Sequence, residues 1–209
     1  VGGGQGQVQR ELENLHHAGL VRREMSRIDS LVAQMLRFAA PANPGRKQFS
    51  LHSTIAHTLR MLTPNLKARS IILQRELAAR PDVITGDDYQ LEQAILNLLI
   101  NAIEAMGSEG TLTIATASLP ADDSRTAGTE LATRPCLLLR VADTGPGIPA
   151  EARRHIFEPF FTTKPHGTGL GLAITERIVK EHDGIIKLVT EPGRGCTFNL
   201  FFPVHSPAG

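Results

Sequence analysis

The sequence predicts an α+β fold: a two-layer α/β sandwich in which helices cover one face of a mixed sheet, preceded by a coiled-coil-like helix. Three observations predict it. Apolar residues recur at helical spacing in several stretches, while others show the strict alternation of half-buried strands. Strands and helices mix without regular βαβ alternation, which favours helices gathered on one face over a doubly wound sheet. Prolines and a glycine near position 41 separate the first long helical pattern from everything after it.

Residues 7 to 39 open the chain. Ala18, Val21, Met25, Ile28, Val32, Met35 and Ala39 step by 3, 4, 3, 4, 3 and 4, the a/d heptad seam that a helix presents to a partner helix. Pro41, Pro44 and Gly45 end it, so residues 1 to 40 form one module and 41 to 46 a linker. A short strand is predicted at 47 to 50, then a helix with Ile55, Leu59, Leu62 and Leu66 on one face. SIILQREL and DVITGD read as strands. Asp87 and Asp88 stand where an N-cap and a first-turn acid are favourable, opening a helix to about Met106. Strands follow near 110 to 118 and 137 to 142, and the polar LPADDSRTAGTELATRP between them is expected as a mobile loop. The last elements are a helix ending near His182 and the strands GIIKLV and CTFNLFFP. In the second, Phe198, Leu200 and Phe202 alternate with Thr197, Asn199 and Phe201.

The 22 basic residues nearly cancel 21 acidic ones, leaving a formal net charge of +1. No global field is present to hold nucleic acid or an anionic membrane, so any phosphate chemistry is local. Cys136 and Cys196 lie far apart without metal-ligand spacing and read as packing residues in a reducing compartment. No apolar run approaches the roughly 18 to 20 residues that span a bilayer, and no signal peptide is visible. Val1 followed by GGGQGQ reads as a linker remnant or the cut end of a larger protein. This piece is therefore expected in the cytoplasm, with the parent free to be membrane-anchored.

Four stretches carry chemistry. In DDYQLEQAILNLLINAIEAM, Leu91, Ile95, Leu98, Ala102 and Ala105 make a buried face, while Asn97, Asn101 and Glu104 fall on another at i, i+4 and i+7. Asparagine is a mediocre helix former. The pair is either a solvent-facing stripe or a source of amide oxygen for Mg²⁺, a hard cation that takes few protein oxygens and keeps waters and phosphate oxygens. Asp143 begins DTGPGI at the end of the apolar CLLLRVA, with Gly145 and Gly147 letting the chain turn. Those residues serve a plain turn, or the carboxylate accepts a hydrogen bond from the exocyclic amine of adenine, where guanine offers a carbonyl. In FEPFFTTKPHGTGLGLAI, Gly167, Gly169 and Gly171 run into a helix start, either for backbone reasons alone or because N-terminal N–H groups face an anion. Lys164 lies upstream, and the spacing matches neither the dinucleotide fingerprint nor the P-loop. EPGRGCTF sets a Gly-rich turn before a strand in which Thr197 can add a polar contact to a base.

In this order and spacing, Asn97 and Asn101 in NLLINAIEA, Asp143 in DTGPGI, FEPFFTTK, GTGLGL and GRGCTF resemble the N, G1, F, G2 and G3 boxes of sensor histidine kinases. These belong to the GHKL superfamily that also holds gyrase, MutL and ATP-dependent chaperones. The resemblance covers residues 47 to 203, and the FEPFFTTK wording is similar to the nitrogen-regulation and C4-dicarboxylate subgroup. It implies a Bergerat ATP-binding fold over residues 47 to 205, with Mg-ATP held between the Asn helix and a flexible lid. By that resemblance Asn97, Asn101 and Lys164 are the catalytic set. Asn101 ligates Mg²⁺ and Asn97 assists near the phosphates. Asp143 binds the adenine amine on a wall shaped by Gly145, Gly147 and Ile148. Lys164 and the run Gly167, Thr168, Gly169, Leu170 and Gly171 hold the phosphates, and Thr197 supports the adenine contact through water. Phe157, Phe160 and Phe161 clasp the lid to the body, Phe160 also bordering the nucleotide, in a packing role that shifts with nucleotide. Pro165 and His166 are expected to be the segment whose order depends on nucleotide.

The implied enzyme is an ATP-dependent protein-histidine kinase that passes the γ-phosphoryl group to a phosphoacceptor histidine, for relay to a response-regulator aspartate. Residues 1 to 40 are similar to the second helix of a dimerisation and phosphoacceptor hairpin. The first helix, with its histidine, is not in the sequence. His16 and His17 lack a following acid and stand about six turns before the helix end, so they are not read as acceptors. The chain is therefore expected to bind ATP without phosphorylating itself. Its implied partners are that hairpin and a receiver domain, within a homodimeric parent, with no nucleic acid and no membrane contact. Hydrolytic branches place a glutamate base at position 97; neutral Asn97 predicts slow hydrolysis. Glu104 stands where some members carry a phosphate-reaching lysine, and its role is open between a metal water and an amine. Two alternatives are an anti-sigma-type serine kinase, which needs no hairpin helix, and a nucleotide-binding regulatory module without transfer activity, which needs no intact glycines.

Overall fold

The computed structural model describes residues 46–164 and 167–204. The heptad helix with His16 and His17, the linker up to residue 45, and Pro165 and His166 lie outside the described residues. In chain order the elements are β1 (Lys47–Ser50), α1 (Leu51–Ala68), β2 (Ile71–Leu77), β3 (Val83–Gly86), α2 (Asp88–Met106), β4 (Gly110–Leu119), β5 (Cys136–Asp143), α3 (Gly171–Glu181), β6 (Ile185–Thr190) and β7 (Cys196–Pro203). Five strands form one mixed sheet in the order β2-β4-β5-β7-β6, and β1 pairs with β3 in a separate ribbon. Only β2 and β4 run parallel; the other neighbours in the five-stranded sheet are antiparallel.

The helices begin where capping chemistry allows. Ser50 Oγ accepts the Ser53 N–H at 3.1 Å to open α1, and Asp82 receives the Ser50 hydroxyl at 2.5 Å and the His52 N–H at 3.1 Å. The Asp87 carboxylate takes the Tyr89 and Gln90 N–H groups at 3.0 and 3.2 Å, satisfying two of the donors that a helix start leaves without partners. Along α2, Leu91, Ile95, Leu98 and Ala102 are buried as expected. Ala105 is not: it is exposed, because the last turn runs beside the Gly145 turn instead of over the sheet.

One row of strand residues meets the helices. The register sets Leu112 beside Asp143, Ile114 beside Val141 and Phe198, and Thr116 beside Leu139 and Leu200. All but Asp143 and Thr116 are apolar and buried, and α1, α2 and α3 pack against this sheet. His182, at the end of α3, is almost wholly buried. Its Nδ1 donates to the Ile178 carbonyl at 2.7 Å, leaving Nε2 to accept the Asp87 N–H at 3.0 Å. The close of α3 is thereby tied to the start of α2.

The segment expected as a mobile loop is instead built against the sheet. Leu119 extends β4 by one residue, and the turns that follow bury Thr126 and Leu131. Leu131 joins Leu119, Cys136, Leu138 and Phe201 in a cluster on the face away from the helices. Asp122 N–H bonds to the Ala132 carbonyl at 2.8 Å, the Asp123 carboxylate holds Arg125, and Lys187 Nζ donates to the Arg125 carbonyl at 2.8 Å. The physical reason is the apolar end of that face, which would otherwise meet water.

Candidate functional site

Asp143 ends β5 at the centre of the sheet and is 9% exposed. Its Oδ1 accepts the Gly145 N–H at 2.8 Å, and the Cys196 N–H also reaches the carboxylate. Burial pushes the carboxyl above the usual aspartate range, and those two N–H groups offset only part of the shift. The arrangement is an aimed, partly dehydrated acceptor. Beyond it, Gly147 has a φ of 73°, and any side chain there would collide with the Glu191 carbonyl. Gly193 N–H bonds to the Pro146 carbonyl at 2.7 Å, so the DTGPGI turn is fastened to the turn between β6 and β7. Ile148 N–H reaches Thr190 Oγ at 3.0 Å.

Thr197 was expected beside the base reader. It pairs with Ala142 and Val189, whereas Cys196 pairs with Asp143. Side chains alternate along a strand, so Cys196 shares the face of Asp143 and Thr197 lies on the other. Burial raises the Cys196 thiol pKa, so it is a neutral packing group rather than a nucleophile. A cleft of about 720 Å³ opens on the outer side of this wall, lined in part by Ala105, Met106, Thr144, Gly145 and Pro146.

Asn97 and Asn101 are brought to the opposite side of the site, against the start of α3. Asn97 Nδ2 donates to the Gly171 carbonyl at 3.2 Å. A side chain on Gly171 would come within 4.0 Å of Asn101. Leu170, at the cap of α3, makes no side-chain cap hydrogen bond, and the start of a helix is electropositive. Lys164 reaches over from the segment that precedes α3. Its Nζ donates to Asn101 Oδ1 at 3.0 Å and to Glu104 Oε2 at 2.6 Å. Glu104, left open by the sequence, therefore holds an amine, and that amine comes from the segment expected to act as a lid.

The glycine edge is shaped as much by Phe160 as by glycine. Phe160 and Gly169 both adopt a φ of 69°, Phe160 N–H bonds to the Gly169 carbonyl at 3.0 Å, and a side chain at Gly169 would collide with the Phe160 backbone. Glycine is required at 169 by this close approach. Phe160 itself is 62% exposed, so its ring is no clasp; Phe157 and Phe161 are partly buried, and Phe161 lies 5.6 Å from the His155 ring. Thr168 Oγ accepts the Leu170 N–H at 3.3 Å and steadies the turn into α3. Among the described residues no group of three His, Cys, Asp or Glu side chains is placed to hold a metal, and the resemblance rests its expectation on the amide oxygen of Asn101. A hard cation with few protein ligands fits that donor set. Also among the described residues, no helix is long and apolar enough to cross a membrane.

Comparison with known proteins agrees with this fold. The model of the histidine kinase-, DNA gyrase B- and HSP90-like ATPase family matches residues 86–206, more than half of the chain. Sensor histidine kinase ZraS of Klebsiella oxytoca is 35% identical over 193 residues, covering 91% of this chain and 38% of that protein. The nucleotide-free catalytic domain of histidine kinase ThkA superposes with a TM-score of 0.62 at 28% identity, over 76% of this chain and 95% of that one. Full-length ShkA, solved with AMPPNP, gives 0.74 at 26% identity, over 94% of this chain and 40% of that one. The chain thus spans under half the length of the curated relatives it matches. On this match and this fold, the chain belongs to the histidine kinase-, DNA gyrase B- and HSP90-like ATPase family, as an ATP-binding domain of the histidine-kinase type.

Proposed function

We propose that this chain is the catalytic part of a sensor histidine kinase, transferring the γ-phosphoryl group of ATP to a histidine on a dimerisation hairpin, from which a response-regulator aspartate takes it. One juxtaposition carries the proposal: Lys164 Nζ rests 3.0 Å from Asn101 Oδ1, so the oxygen offered to a metal already attracts a cation, directly opposite the start of α3. Asn101 would hold Mg²⁺ by that oxygen, and the ion would neutralise phosphate charge when bound. Lys164 then leaves Asn101 and Glu104 for the phosphates, which the N–H groups at the start of α3 and the glycine edge receive. Asp143 accepts the adenine amine and disfavours guanine, whose carbonyl would face a carboxylate.

Asn97 is neutral and already donates to Gly171. It has no capacity to take a proton from water, so ATP is conserved for the protein acceptor. The partners proposed are the phosphoacceptor hairpin and a receiver domain, within a homodimeric parent that presents this domain to the cytoplasm.

The test is nucleotide binding in the presence of Mg²⁺. The chain is expected to bind ATP, and Asp143→Ala and Asn101→Ala to lose it. Absence of binding by the wild-type chain, or rapid ATP turnover by it alone, overturns the proposal.

A further inference from the structure

The adenine side of the site is organised by a residue outside all five sequence boxes. Thr190 ends β6 and is buried. Its hydroxyl accepts the Ile148 N–H at 3.0 Å, donates to the Gly195 carbonyl at 2.9 Å, and lies 3.3 Å from Cys196 Sγ. A hydroxyl has one proton and two lone pairs. Donation to Gly195 therefore leaves capacity for Ile148 N–H and for a thiol proton, and the group is fully used.

Its three partners flank Asp143 from both sides. Gly195 and Cys196 lead into β7, where Cys196 pairs with Asp143 and directs its N–H at the carboxylate. Ile148 follows the turn whose Gly145 N–H holds Oδ1. The approach is close enough that a side chain on Gly195 would collide with the Asp143 carbonyl. Two backbone segments that aim one carboxylate are thus joined through one hydroxyl.

From this we infer that Thr190 is a positioning residue for base recognition, setting the margin by which the site prefers adenine to guanine. The inference rests on Asp143 reading the base, as proposed above. Thr190 acts through Ile148, Gly195 and Cys196, and does not contact the nucleotide itself. Removing its hydroxyl leaves a part-buried N–H and a buried carbonyl without their partner and frees the Cys196 N–H to shift relative to the carboxylate.

The experiment titrates ATP and GTP against the wild-type chain, Thr190→Val and Thr190→Ser, recording thermal midpoints alongside. Thr190→Val keeps the volume and deletes the hydroxyl. It is expected to reduce the ATP-over-GTP affinity ratio about tenfold, the size of one misaligned charge-assisted hydrogen bond, and Thr190→Ser is expected to restore it. A Val variant that melts earlier but keeps the wild-type ratio overturns the inference, since a structural role lowers stability without moving base preference. If Val does not fold, Thr190→Ala, smaller and open to water, replaces it, and an unchanged ratio there is equally fatal. Loss of preference in the Ser variant also overturns it. A wild-type chain that binds no ATP overturns the proposed function and this inference together; one that prefers ATP beside an unmoved variant overturns the inference alone.

Discussion

Asp143 is a carboxylate that folding makes less acidic and that the proposed base recognition needs ionised. Burial raises its pKa, so the folded chain keeps the proton to higher pH than the unfolded chain does, and folding stability from this group declines as pH rises through the raised value. Adenine binding has the opposite sign, because an amine donor needs the ionised acceptor. Affinity for ATP is therefore expected to fall on acidification, starting above the ordinary aspartate pKa of about 3.9. Titrations across that range check it, and a profile that stays flat down to that value counts against it. At Glu104 the expectation concerns the lid. The pair with Lys164 is substantially exposed, so Glu104→Gln should change stability by less than about 1 kcal/mol. It should nevertheless speed amide exchange between Phe157 and Lys164 in the absence of nucleotide. Asn101, Asp143 and Lys164 could be singled out as candidates because they stand in patterned stretches whose joint order, more than any one residue, carries the resemblance. The partner of Glu104 was not, because it lies 60 residues away and the contact depends on the path of the lid. Thr197 and Cys196 exchanged places for a different reason: a shift of one residue along a strand reverses the face, and register is invisible before pairing.

Among the elements, α2 was readable almost to the residue, since Asp87 caps it and its apolar period is strong. The segment after β4 was not. Its polar composition hides Leu131, the one large apolar side chain that it inserts into the cluster with Leu138 and Phe201. Average hydrophobicity reports what most residues do, whereas a single buried leucine is enough to hold a turn-rich segment down. Leu131→Ala is expected to cost about 2 to 4 kcal/mol of stability, read from the shift of a denaturant midpoint. Faster exchange of the Thr126 amide should accompany it. A midpoint that does not move would mean that the segment is held by Asp123, Arg125 and Lys187 instead. Thr190 escaped notice for a related reason: one threonine closing a strand has no signature, and its importance comes from the two segments that fold back on it.

At the scale of the whole domain, alternation and helical period were sufficient for the fold class. The strand order β2-β4-β5-β7-β6 was not, because it depends on pairings between strands distant in sequence. The expected behaviour of the intact chain is binding without self-labelling. γ-labelled ATP should leave no acid-labile label on it, while an added hairpin that carries a histidine followed by an acid should become phosphorylated. Label on this chain alone would contradict that. The tie from His182 to the Asp87 peptide, together with the bond from Asn97 to Gly171, pins α3 to α2 at both of its ends. Two helices so joined act as a stiff jig. On the proposed function they would hold metal ligand and phosphate-binding helix start at a fixed spacing, so that the ordering entropy of nucleotide capture would fall on the chain between Phe157 and Lys164, a gate on a frame that stays still.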